Sequence, residues 1–181
     1  RLEDAPDAGQ GVSALDLKGK VVVPGFVEPH MHLPPLAMMH EFSNIGPNRF
    51  ETTEAALGQL AKDAAATPKG EWVVGRQFDP SLQQGPDYLT RDLLDGVSTE
   101  HPVFVYNASL HLGYCNTVAL ELAGIDASTP DPQNAEIGRD AAGNPNGVLK
   151  AGPAMALVVR HNTKLKNGNI AEGCLSVLGQ A

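Results

Sequence analysis

The chain is short of basic charge and of cysteine. Lysine and arginine together number 13 against 21 acidic residues, a formal net charge of -8. The basic residues are scattered and form no stripe, which argues against a nucleic-acid surface. There are only 2 cysteines, Cys115 and Cys174, and no C-x-x-C pattern that would build a zinc knuckle or redox pair. A disulfide between them has nothing to support it, and buried free thiols are the simpler expectation. No apolar run approaches the roughly 18–20 residues that span a bilayer. No strand is followed by G-x-G-x-x-G or G-x-x-x-x-G-K-[ST], so a nucleotide-binding domain is disfavoured. The opening segment RLEDAPDAGQ is polar and acidic and carries no signal-peptide pattern.

What is present is an ordinary globular composition, 42% hydrophobic and 19% charged. The 19 glycines and 14 prolines exceed the usual combined share of about 12% and imply many loops. A turn at Gly19 precedes VVVPGFV, residues 21–27, whose β-branched run predicts a strand buried on both faces. Residues 34–48 read as irregular chain that could wall a pocket, with Met38, Met39 and His40 either lining it or simply packing. TTEAALGQLAKDAAATP, residues 52–68, predicts a helix capped by Thr52 or Thr53 and ended at Pro68. WVVG in 70–80 and PVFVYNAS in 102–109 predict strands. Trp72, Phe78 and Tyr106 are core or pocket wall. A short helix capped by Thr90 stops at Gly96, and another, residues 116–125, is capped by Asn116 and ends at Gly124. Residues 126–147 read as loop with a hairpin around Ala142-Gly143-Asn144. GVLK, 147–150, is one more strand, and helices follow at 153–161 and 170–180. This alternation favours a parallel sheet with helices outside it, an α/β architecture. In barrels of that class chemistry gathers at the C-terminal ends of the strands.

The chemically distinctive stretch is PGFVEPHMHL, residues 24–33. In an extended strand His30 and His32 point the same way, so both imidazoles can reach one ion. The alternative is two histidines satisfying local backbone groups. Glu28 either steadies one of them or caps the nearby loop.

Three linked stretches resemble one family. GKVVVPGFVEPHMHL resembles the first barrel strand of the amidohydrolase superfamily, with its histidine pair. PDYLTRDLLDGVSTEHPVFVYNASLHLGYCNTVALELAGI, residues 86–125, resembles the branch called amidohydrolase family 3, which includes N-substituted formamide deformylases. Leu94-Asp95, His111, Asn116-Thr117, Ala119-Leu120 and Ala123-Gly124-Ile125 fall on that branch's pattern. EIGRDAAGNPNGVLK, residues 136–150, matches its I-x-R-D-x-x-G-x-P-x-G-x-L segment.

The resemblance implies a (β/α)8 TIM barrel, of which residues 21–181 would be the N-terminal portion, with 1–20 returning from a small β-sandwich. It implies metal-dependent hydrolysis of a C–N bond in a small amide, formamide or cyclic amide. A divalent metal, most simply zinc, as one or two ions, would be held by His30 and His32. Lys150 would be a further, bridging ligand, or else a solvated lysine at a strand end; the family's usual Glu after it is Ala151 here. His111 is expected at the substrate, with Asn116 as its partner or as a helix cap. His161, with no strand before it, is not promoted to a ligand. The general base is expected beyond Ala181, since a full barrel takes about 250 residues. The chain then pairs with the remainder of its own barrel, and homo-oligomerisation stays open. A non-catalytic barrel fragment is the alternative. The expected partner is a small-molecule substrate, with no nucleic acid and no membrane. A cytoplasmic location is expected, an export signal being left open because the chain lacks an initiator Met.

Overall fold

The computed structural model describes residues 16–25, 27, 33–164 and 170–179. The chain divides into two units, Arg1–Met31 and His32–Ala181. In the first, the Asp16 carboxylate accepts the Lys18 amide at 2.8 Å and Lys20 N–H closes a turn on the Leu17 carbonyl. Gly19 takes φ +79 there, as a turn glycine can. The strand expected over 21–27 is not found: residues 21–25 and 27 carry no strand, and Val21, Val22, Val23 and Val27 are 63–86% exposed. β-Branched residues favour a pleated surface only where a neighbouring strand exists to pack against. Among the described residues none pairs with this run.

In the second unit the elements are α1 (Leu33–Met39), β1 (Ser43–Asn44), α2 (Thr53–Ala66), β2 (Val73–Phe78), α3 (Arg91–Asp95) and β3 (Val103–Asn107). They continue with β4 (Leu112–Cys115), α4 (Thr117–Ala123), β5 (Glu136–Arg139), β6 (Pro145–Lys150), α5 (Gly152–Val159) and α6 (Ile170–Leu178). The region 34–48, expected to be irregular, holds α1 and β1. Pro34 and Pro35 sit in the first helical turn, where no intrahelical N–H is needed.

The strands form one sheet in the order β1-β2-β3-β4-β6-β5. The pairs β1/β2 and β2/β3 are parallel, and the pairs β3/β4, β4/β6 and β6/β5 are antiparallel. The all-parallel sheet predicted from the alternation is therefore corrected to a mixed one. Linker length explains it. Residues 108–111 and 140–144 are too short for a crossover and permit only hairpin returns, whereas the β1–β2 connection holds all of α2. Strand β4 escaped sequence reading because LGYC is only four residues with a glycine inside. Gly113 is required there: a Cβ on it would stand 2.5 Å from Phe104 Cζ and 3.0 Å from Met155 Cγ. A (β/α)8 barrel, whose strands are all parallel, is not formed by these six strands.

Both sheet faces are covered. Val73, Val103, Val105, Tyr114 and Val148 pack with Ala56, Leu60 and Ala64 of α2 and Leu94 of α3. Trp72, Val74, Phe104, Cys115, Ile137 and Leu149 pack with Ala119 and Leu120 of α4 and Ala154, Met155 and Val158 of α5. Helix α2 follows its sequence closely. Thr52 Oγ1 accepts the Ala55 amide, Ala56, Leu60 and Ala64 are buried at four-residue spacing, and the helix ends at Ala66, two residues before Pro68, with Thr67 extended.

Candidate active site

Because β1, β2, β3 and β6 run in one direction, their C-terminal ends share one edge of the sheet. Asn44, Phe78, Asn107 and Lys150 mark that rim. His111 and Lys150 are brought together on it. The Ala151 amide donates to the His111 carbonyl at 2.8 Å, and Leu112 pairs in register with Lys150. The approach to His111 is a tight loop: Asn107 Oδ1 accepts the Ser109 amide, Ser109 Oγ accepts the His111 amide, and Leu110 takes φ +60. Ala151, just after Lys150, takes φ +69. Two non-glycine residues in the left-handed region beside the two named side chains show a rim whose backbone is held against its own preference. His111 is exposed there.

Lys150 is not free at this edge. Its Nζ donates to Glu136 Oε1 at 2.7 Å across the β5/β6 ladder. That hydrogen bond raises the Lys150 pKa above the ordinary lysine value. A metal-bridging, carboxylated lysine must first lose its proton, so this partner works against that chemistry until the pair opens. Glu136 was not singled out in the sequence.

Asn116 is 0% exposed, and its amide is fully engaged. Oδ1 accepts from Val103 N at 3.0 Å and Ala119 N at 3.0 Å; Nδ2 donates to Ser98 O and His101 O, both at 2.8 Å. It caps α4 and ties that helix to β3 and to the segment following α3. Beside it, Asp95 accepts the Thr117 amide at 2.9 Å and the Thr117 hydroxyl at 2.6 Å. The Leu94-Asp95 and Asn116-Thr117 pairs thus form one clamp.

His30, His32 and Glu28 lie outside the described residues. Among those described, no group of three or more His, Cys, Asp or Glu side chains could hold a metal ion. His101 is buried with Nδ1 3.0 Å from the Glu71 carbonyl, His40 Nδ1 is 2.7 Å from the Ala37 carbonyl, and His161 Nε2 is 3.2 Å from Arg160 Nε. Cys115 and Cys174 are free, Cys115 being fully buried. Burial first, and Asp95 second, push the Cys115 thiol up, away from thiolate chemistry. A cavity of about 670 Å³ lined by Met38, His40, Asp63 and Glu71 sits toward the N-terminal end of β2, opposite the rim. Met38 and Met39 also border a small apolar hollow with Tyr106 and Leu110.

The fold is similar to part of the structure of an uncharacterized metal-dependent hydrolase from Pyrococcus furiosus, with a TM-score of 0.54 at 18% identity. That match covers 86% of this chain and 30% of the other. A family model described as "Amidohydrolase family" matches residues 13–172, and the chain belongs to that family. It is 38% identical over 145 residues to the N-substituted formamide deformylase of Arthrobacter pascens, covering 80% of this chain and 26% of that protein. It is 31% identical over 135 residues to the putative amidohydrolase YtcJ of Bacillus subtilis (strain 168), covering 75% of this chain and 25% of that protein. The chain thus spans about a quarter of the length of these curated relatives. No described helix is long and apolar enough to cross a membrane.

Proposed function

We propose that the protein is a metal-dependent hydrolase that cleaves a C–N bond in a small amide, formamide or cyclic amide. The observation that carries the reading is the His30-x-His32 pair in a chain of the amidohydrolase family with a formamide deformylase among its relatives. On this reading His30 and His32 present two neutral imidazoles to one divalent ion. When bound, a zinc-type ion supplies Lewis acidity and an activated water at neutral pH. His111, exposed on the rim, orients substrate through a ring nitrogen, while Asn116, at the opposite end of β3, holds the fold as the cap of α4. Lys150 joins the metal site only if its Glu136 pair opens; otherwise that pair closes the edge of the sheet. The general base and further ligands come from beyond the described residues.

The experiment is metal analysis and turnover of an N-substituted formamide by the protein and by His30→Ala. Loss of bound metal and of turnover is expected. Stoichiometric metal and unchanged turnover in the variant would refute the assignment.

A further inference from the structure

We propose that the hollow between α1, the end of β3 and α5 is a binding subsite for one apolar group, the size of a six-membered ring, carried on the substrate amide. The substrate part of this rests on the hydrolase reading; the apolar binding does not.

The hollow has a volume of about 220 Å³ and is lined by Pro35, Met38, Met39, Tyr106, Leu110 and Val159. Pro35, Met38 and Met39 stand three and four positions apart in α1 and share one face of the helix. Tyr106 is the penultimate residue of β3, and Val159 is the last of α5. The Tyr106 ring is held in place by two others. It stacks on Phe42 with centroids 6.2 Å apart and meets Phe104 edge-on at 4.8 Å. Leu110 is set by the loop after β3, where its amide donates to the Asn107 carbonyl at 3.0 Å. Met39 is buried, whereas Tyr106, Leu110 and Val159 are only partly covered and Met38 is 41% exposed. The hollow is therefore closed on the Met39 side and reaches solvent at Met38.

Size and chemistry select the occupant. Among the lining side chains only Tyr106 carries an oxygen or nitrogen. A dry apolar cavity of about 150 Å³ accepts a benzene, so this hollow suits a six-carbon ring or an alkyl group of the same bulk. Two methionines adjust to either shape and make favourable contacts with an aromatic one. A protein partner's face takes roughly 20–30 residues a side, far more than surround this hollow.

Position ties the hollow to the substrate. Leu110 runs directly into His111, the residue read as touching substrate, so their Cα atoms are one step of about 3.8 Å apart. Helix α1 begins at Leu33, the residue after His32. The chain segments that carry the proposed substrate and metal contacts thus continue into two walls of the same hollow. An amide bearing a ring-sized apolar group would bury there what a methyl-substituted amide lacks.

The test has two arms. In the first, protein labelled with [methyl-13C]methionine is titrated with cyclohexanol and followed by NMR, the signals being assigned through Met38→Leu and Met39→Leu. The Met38 and Met39 signals are expected to move saturably, with a Kd of about 1–30 mM, and Val159→Phe should weaken that binding about tenfold by filling the hollow. In the second, kcat/KM is compared for N-cyclohexylformamide and N-methylformamide. The ring-bearing substrate should be preferred about tenfold or more, and Met38→Trp should bring the ratio down to near one. If Met38→Trp does not fold, Val159→Phe is read in its place. Saturable NMR shifts without turnover of either formamide would sink the hydrolase reading and leave the apolar site standing. Lack of saturation below about 50 mM, or turnover of both formamides with equal kcat/KM, would overturn the subsite.

Discussion

Asn116→Ala tests whether the amide at the N-terminal end of β3 serves the fold or the substrate. The side chain makes four hydrogen bonds to four backbone groups on three segments. Truncation removes a helix cap, worth about 1 kcal/mol. It also leaves Val103 N–H and the His101 carbonyl unpaired in buried surroundings, at about 1–3 kcal/mol each. The expected loss is about 3–7 kcal/mol, a large part of the roughly 5–15 kcal/mol that holds a domain together. In urea that is a midpoint shift of about 2 M with the slope unchanged. Asn116→Ser retains a capping oxygen but cannot reach the carbonyls, so it should lose about half as much. Asn116→Asp should be as damaging as alanine, because a carboxylate oxygen would face the Ser98 and His101 carbonyl oxygens. Equilibrium unfolding of the protein and these three variants decides the matter. If Asn116→Ala unfolds within about 0.5 kcal/mol of the parent while turnover collapses, the clamp reasoning is wrong and the amide belongs to the substrate.

Other expectations follow from the same structure. Asp95→Ala frees the Thr117 amide and hydroxyl and should cost about 1–2 kcal/mol, read from the same unfolding curves. Gly113→Ala should destabilise by about 1–3 kcal/mol through overpacking against Phe104 and Met155; a neutral result would show that the core there is loose. Burial pushes Tyr106 up to about 12, so its share of stability is complete below the ordinary tyrosine range and is lost as pH rises through 12. Tyr106→Phe should therefore remove a late component from the alkaline absorbance titration. The Asn144 amide, first among several donors, holds Asp140 below the ordinary carboxyl value. Its contribution is thus present above a pH of about 4 and lost as pH falls through the depressed pKa. Amide exchange in the β5/β6 hairpin should rise in acid, and Asp140→Asn should flatten that dependence.

Sequence alone settled whatever depends on neighbours a few residues apart. The four-residue spacing of Ala56, Leu60 and Ala64, the caps at Thr52 and Asn116, the left-handed Gly124 and the hairpin turn around Gly143 all appear where local pattern put them. The His30-x-His32 pair is equally a local pattern, although it falls outside the described residues. Tertiary structure decided what depends on partners distant in the chain. The direction of β4, the solvent exposure of Val21–Val23 and the sheet order turn on which strand finds which neighbour, and no window of sequence contains both partners. The same holds for the named polar side chains. Asn116 was legible as a cap but not as a tie to Val103 and His101, and Lys150 was legible as a strand end but not as the partner of Glu136. Helical periodicity and turn chemistry are short-range forces written residue by residue. Strand pairing and charge proximity are long-range, and the folded backbone is what brings their two halves together.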